Sequence, residues 1–254
     1  MTGEGQDRVF ALEGEAKTGA FVLVCEHASW FIPSGFKGLG LSETLKDAHI
    51  SWDPGALELA RALAERLESP LFSGTVSRLV YDCNRPPEAD DAVPQRSEVY
   101  DVPGNIDLDR EAKAGRAKQV YYPFHAALEA LLSSRETLPV LVTVHSFTPV
   151  YRGQSRAVEI GILHDEDKRL ADAMLVDENL TSLWKTERNS PYGPEDGVTH
   201  TLKKHALPRG MLNVMLEIRN DLITTPAACA EMADQLAECL LASLARCRAA
   251  EDAR

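Results

Sequence analysis

Three apolar runs in this chain each stop on side chains that can carry charge. Phe21-Val22-Leu23-Val24-Cys25 runs into Glu26-His27, Val140-Leu141-Val142-Thr143-Val144 into His145-Ser146, and Leu212-Asn213-Val214-Met215-Leu216 into Glu217-Ile218-Arg219. Imidazoles and carboxylates are the groups that hold divalent metals and move protons. Neutral imidazole is the commonest zinc ligand, and a catalytic zinc takes three protein ligands and keeps a fourth position for water. His27 and His145 are therefore candidate ligands. The third ligand is open between Glu26, adjacent to His27, and Asp53, which serves equally well as a helix cap. Beside a metal, Glu217 would act as general base on the activated water and then protonate a leaving amine. Its bland alternative is a salt bridge with Arg219, which shares its strand face.

Other polar groups divide into candidates and bystanders. Asn84-Arg85 closes a further apolar stretch, and the planar fork of Arg85 suits a carboxylate, as does that of Arg219. His125 sits within a helical pattern as a supporting residue rather than a ligand, and His164 is a weaker candidate at the end of Val158–Leu163. His200 and His205 are five apart and do not share a helical face. Cys25 lies inside an apolar strand, where a thiol stays protonated and inert. No GxSxG elbow occurs, so a serine hydrolase of that kind has no support.

The elements that must position these groups alternate along the chain. Residues 1–19 are polar and expected to be loosely held. The run of five apolar residues at 21–25 predicts a strand buried on both faces. Asp53-Pro54 opens a helix whose apolar face is Leu57, Ala60, Leu63, Ala64 and Leu67. Residues 71–82 read as strand, either one or two short ones broken at Gly74, 86–104 as a long acidic loop bearing prolines, and 111–134 as helix. A strand at 139–145, an apolar stretch at 158–163 and a helix at 165–183 follow. An irregular region spans 184–210 and includes a short helix from Pro194 to His205. A strand at 211–218 and a helix from Pro226 to Ala249, capped by Thr225, close the chain. Strands separated by helices predict one α/β domain over residues 20–254, with a mixed, mostly parallel sheet and helices on both faces. In such sheets ligands bind outside the carboxyl ends of the strands, where all three polar stops fall.

Charge narrows the partners. A net charge of −12 argues against nucleic acid and anionic membranes, and it obliges an anionic substrate to find local arginines. No apolar run approaches the ~20 residues that span a bilayer. The N-terminus lacks the basic and apolar regions of a signal peptide. Five scattered cysteines without a CxxC pair suit reduced thiols in the cytoplasm.

Five segments together resemble the N-formylglutamate amidohydrolases. They are Glu26-His27-Ala28-Ser29, Arg78-Leu79-Val80-Tyr81-Asp82-Cys83-Asn84-Arg85-Pro86, Tyr122-Pro123-Phe124-His125, Val144-His145-Ser146-Phe147 and Leu216-Glu217-Ile218-Arg219-Asn220. The resemblance runs from about residue 20 to 240, and its most specific parts are Asp-x-Asn-Arg-Pro and the His-Ser after a strand. It implies a fold similar to the zinc carboxypeptidases and aminoacylases. It also implies a metal-dependent hydrolase, with zinc the expected metal, that cuts the amide of N-formylglutamate or a related small anionic N-acyl amino acid, as in histidine degradation. Members acting on formylglutamate commonly carry Pro-His-Ser-Gly where this chain has Glu26-His27-Ala28-Ser29, so Glu26 inherits no role from them. Two alternatives are a non-catalytic binder of anionic metabolites and an aminoacylase- or peptidase-like hydrolase of larger N-acyl substrates. The oligomeric state is left open.

Overall fold

The computed structural model describes residues 8–15 and 19–253. In chain order its strands are β1 (Phe10–Glu13), β2 (Phe21–Cys25), β3 (Leu71–Gly74), the pair β4 (Arg96–Ser97) and β5 (Tyr100–Asp101), and β6 (Val140–Phe147). They continue with the pair β7 (Val150–Tyr151) and β8 (Gln154–Ser155), then β9 (Ile160–Leu163), β10 (Thr186–Arg188) and β11 (Asn213–Arg219). Seven of them form one sheet in the order β1-β3-β2-β6-β11-β9-β10. Strands β3, β2, β6 and β11 run parallel, β1 and β9 pair antiparallel to their neighbours, and β10 runs parallel to β9. The mixed, mostly parallel sheet expected from the alternation of elements is what the chain forms.

Both faces of the sheet are covered. The helices are α1 (Glu43–Lys46), α2 (Ala56–Arg66), α3 (Arg110–Arg116), α4 (Tyr122–Ser133), α5 (Arg169–Leu175), α6 (Glu178–Thr181) and α7 (Pro226–Asp252). Leu23, Val142 and Leu216 pack on one side with Leu59 and Leu63 of α2, Leu170 of α5 and Leu236 of α7. Val22, Val24, Leu141 and Met215 pack on the other with Phe124 and Leu128 of α4 and Leu202. Helix α7 starts as its sequence dictates: Pro226 is the first residue, and the Thr225 hydroxyl accepts from the Ala228 amide at 3.2 Å. Each fully buried Val, Leu or Phe contributes ~1.5–3 kcal/mol, and two such layers offset the cost of burying the ionisable groups below.

Several elements differ from the sequence reading. Phe10–Glu13, inside the segment expected to be loosely held, is an edge strand paired with β3; residues 1–7 and 16–18 lie outside the described residues. The strand read over 71–82 ends at Gly74, and 75–82 is loop. At its end only glycine fits, since a side chain at 74 would meet the Glu26 carbonyl oxygen at 2.2 Å. The single helix read over 111–134 is α3 and α4 joined by a π-helical stretch, Ala117–Tyr121, and the helix read over 165–183 is two short ones. Asp53 does not cap α2: the helix begins at Ala56 after Gly55, whose φ of 81° is one that glycine adopts without strain. The carboxylate of Asp53 is left to point elsewhere.

Candidate active site

Three adjacent parallel strands deliver the polar groups to one edge. In the β6–β11 register Glu217 lies directly beside His145, and alternation puts both on the same face of the sheet. The β2–β6 register pairs Val24 with Thr143, so Glu26 arrives at the level of His145. Strand β2 has ended by then, and Glu26-His27 is a turn. The two consecutive side chains therefore reach His145 from different sides instead of pointing apart.

Glu26 Oε2 lies 3.1 Å from Nε2 of His145, and Asp82 Oδ1 lies 2.7 Å from Nε2 of His27. A carboxylate only accepts, so the Asp82 bond puts the proton of a neutral His27 on Nε2 with the Nδ1 lone pair inward, and the Glu26 carboxylate beside His145 Nε2 favours the same tautomer there. The two Nδ1 atoms are 3.2 Å apart, and Asp53 Oδ2 lies 3.2 Å from His27 Nδ1 and 2.8 Å from His145 Nδ1. Three acceptors thus converge on one point without a donor among them. Ligand atoms bound at ~2.0–2.1 Å around a tetrahedral zinc are ~3.3 Å apart. The donor set fits a divalent cation, and His27, Asp53 and His145 are the group that could hold one among the described residues.

Asp53 is held for this task. Its amide donates to the His27 carbonyl at 2.9 Å, and Ser146 Oγ donates to the Pro54 carbonyl at 2.7 Å. Arg78 bridges the two aspartates, with Nη1 3.3 Å from Asp53 Oδ1 and Nη2 2.8 Å from Asp82 Oδ2. Burial works against charge on His27 and His145, yet the neighbouring carboxylates raise both pKa values. Protons and a metal therefore compete for the same nitrogens. Burial pushes the Glu217 carboxyl up to about 7, with Asp53 adding to the rise and His145 opposing it. Its Oε2 has no hydrogen-bond partner, which leaves it available to the cavity. Space is kept beside it by Gly161, its neighbour on β9, where a side chain would lie 2.0 Å from the Ser190 carbonyl oxygen and 3.2 Å from Glu217 Cβ.

A cavity of about 300 Å³ opens over these groups, lined by His27, Asp53, Arg78, His145, Tyr192 and Glu217 among others. That is the lower end for small-molecule sites. Two hairpins guard its mouth: Ser97 and Glu98 from β4–β5, and Tyr151 from β7–β8. Glu98 ties them together, accepting from the Arg152 amide at 3.1 Å and from His49 Nε2 at 2.7 Å. The segment 86–104 expected to be a long loop is thus a structured rim. Buried Arg116 anchors its far end through Asn105 Oδ1 at 2.6 Å.

The other expected site residues are placed differently. Glu26 sits behind His145, facing Nε2, and so orients the ring instead of sharing the point between the Nδ1 atoms. Asn84 is buried and lines the cavity, with its side chain donating to the Val198 carbonyl and accepting from the Thr201 amide. Arg85 borders the cavity, but Asp91 takes its Nε at 2.7 Å and the Asn84 and Gly197 carbonyls take Nη1. Arg219 stands outside the cavity lining, bound to Asp221 and Glu159. The alternative reading, a salt bridge between Glu217 and Arg219, does not form. His125 is supporting, as expected: Nε2 donates to the Cys83 carbonyl at 2.8 Å, which steadies the 82–84 turn, and Nδ1 meets His205. Sequence reasoning passed over Asp82 and Arg78, whose one signal was that both lie in the segment ending in Asp-x-Asn-Arg-Pro.

A family model for N-formylglutamate amidohydrolase matches residues 19–224. The chain belongs to the N-formylglutamate amidohydrolase family. It is accordingly an enzyme of the amidohydrolase class. Among solved structures, gene product Atu2144 from Agrobacterium tumefaciens is 50% identical, with a TM-score of 0.92 over 96% of this chain and 98% of that one. The N-formylglutamate amidohydrolase from Ralstonia eutropha JMP134 is 16% identical, with a TM-score of 0.62 over 96% of this chain and 99% of that one, a likeness of fold. No curated protein matches. None of the described helices is long and apolar enough to cross a membrane.

Proposed function

We propose that this enzyme hydrolyses the amide of N-formyl-L-glutamate or of a closely related small, anionic N-acyl amino acid. The observation that carries the reading is the convergence of two Nδ1 atoms and Asp53 Oδ2 beside a buried Glu217 whose Oε2 has no hydrogen-bond partner among the described residues. His27, Asp53 and His145 would hold a divalent metal, zinc by the preference of that ion for nitrogen and oxygen donors in an open three-ligand site. When bound, such an ion supplies acidified water and polarises an acyl oxygen.

The protein's own groups do the rest. Glu217 takes a proton from the attacking water as its oxygen bonds to the acyl carbon. It returns that proton to the amide nitrogen as the C–N bond breaks, releasing the carboxylic acid and the free amine. A carboxyl with its pKa near neutrality suits both transfers. The rim hairpins and the small cavity favour a single N-acyl amino acid over a longer chain. We place this activity in the cytoplasm, in the degradation of histidine, and the five free, buried cysteines suit a reducing compartment.

The test is formate release from N-formylglutamate by protein purified without chelators, with metal content measured on the same sample. Stripping the metal is expected to abolish turnover and zinc to restore it. Undiminished turnover after complete removal would overturn the metal assignment, and no turnover by zinc-loaded protein would overturn the substrate.

The carboxylates behind the imidazoles give a graded effect. Glu26→Gln and Asp82→Asn leave the three converging atoms in place but weaken the grip on the ring N–H. Each is expected to reduce zinc affinity ~10–100-fold without eliminating binding. Competition with a chromophoric chelator measures this, and wild-type affinity in both variants would show that neither carboxylate orients its ring.

A further inference from the structure

The cavity poses an electrostatic problem. Its lining carries the acids Asp53, Glu98, Asp196 and Glu217, and a chain of net charge −12 surrounds it. An anionic substrate needs a cation that is not already neutralised, and the cations in the lining are all engaged. Arg78 is paired with Asp53 and Asp82, Arg85 with Asp91, and His49 with Glu98.

Just behind this wall, Arg156 has no carboxylate within ion-pair distance among the described residues. Its guanidinium is clamped by three rings that themselves line the cavity: Cζ lies 4.5 Å from the centroid of Tyr151, 4.9 Å from that of Tyr192 and 5.5 Å from that of Phe147. Its polar contacts are a long one from Nη1 to the Thr148 carbonyl, 3.4 Å, and one to the Tyr192 hydroxyl. A guanidinium has five donors, so most of this fork is uncommitted. The guanidinium of Arg152 also has no carboxylate within ion-pair distance among the described residues, but it is exposed at the hairpin tip. Arg156 is half-buried, and stacking holds its plane before a ligand arrives.

Resting on the hydrolase reading above, we propose that Arg156, framed by Tyr151, Tyr192 and Phe147, is the residue that binds a carboxylate of the substrate and so selects acidic N-acyl amino acids. A planar fork matches a carboxylate bidentately, and aromatic walls exclude the water that would screen the pair. Arg156 itself is outside the cavity lining, so in this role its guanidinium reaches the carboxylate between the Tyr151 and Tyr192 rings, 4.5 and 4.9 Å from their centroids, and it takes no part in the proton transfers.

The experiment compares wild type, Arg156→Met and Arg156→Lys on four substrates: N-formylglutamate, N-formylglutamine, N-formylglutamate α-amide and the corresponding diamide. Methionine retains most of the packing against the rings without charge. Arg156→Met is expected to lower kcat/KM ~10–100-fold, mainly through KM, on substrates with the recognised carboxylate. It should leave the diamide unchanged. The two monoamides then report which carboxylate is bound. Lysine, with charge but no fork, should fall between. Equal losses on all four substrates would show that Arg156 only packs the aromatic wall.

Calorimetric titration of metal-free protein with glutarate supplies a readout independent of turnover. Wild type should bind and Arg156→Met should bind at least ~10-fold more weakly. Equal affinity, or no binding to wild type, overturns the assignment. Failure of the hydrolase reading shows differently, as zinc-loaded wild type that cleaves none of the four substrates.

Discussion

His27→Ala and His145→Ala are each expected to lose bound zinc and amide hydrolysis together, with turnover falling ~10³-fold or more. The size follows from the several kcal/mol that a metal contributes to such a reaction, at 1.36 kcal/mol per factor of ten. Removing one imbalanced acceptor leaves two atoms, too few for a three-ligand zinc site. Asp53→Ser belongs in the same series. Helix α2 starts with the backbone of Gly55 and Ala56, so losing the carboxylate costs no side-chain cap, and zinc loss without helix loss is expected. Metal content, kcat and far-ultraviolet circular dichroism on one preparation check all three variants. A full equivalent of zinc in both histidine variants would remove the pair from the metal site.

Glu217→Gln is expected to keep its zinc and its fold while kcat falls at least ~100-fold, the lower end for loss of a general acid–base group. Glutamine preserves size but cannot accept the proton. The position is rigid: Glu217 lies inside β11, paired with His145 on one side and Gly161 on the other. Three outcomes separate three roles. Slow turnover with zinc retained marks a proton carrier, lowered zinc affinity marks a ligand, and near-normal turnover removes Glu217 from the chemistry. Among the described residues Glu217 Oε2 has no hydrogen-bond partner, and Arg219 is engaged with Glu159 and Asp221.

The sequence by itself determined which end of the sheet gathers the titratable side chains. An apolar run of five residues reads as an interior strand, and in an α/β sheet the polar groups that follow such runs gather toward the carboxyl ends of the strands. That reasoning placed His27, His145 and Glu217 at one end of one sheet, because it needs only the local pattern of apolar and polar residues. It also determined the mixed α/β class and the start of α7, both written in short-range signals.

What the tertiary structure alone decided is which polar group meets which. Asp53-Pro54 satisfies the pattern of a helix start and that of a metal ligand equally. Only the fold shows the helix beginning two residues later and the carboxylate turned onto two imidazoles. Glu26 and Asp53 were equivalent candidates until the sheet register put one behind His145 and the other in front of it. Arg85 and Arg219 each carried a suitable fork, but their partners, Asp91 with the Gly197 carbonyl and Glu159 with Asp221, are chosen by loop packing. Arg156 has Phe147 and Tyr151 within nine residues of it in the chain, but the third ring of its frame, Tyr192, comes from a separate stretch and only the fold brings it there. A hydrophobic period is local and survives in the sequence, whereas an ion pair depends on distances of a few ångströms that packing alone sets.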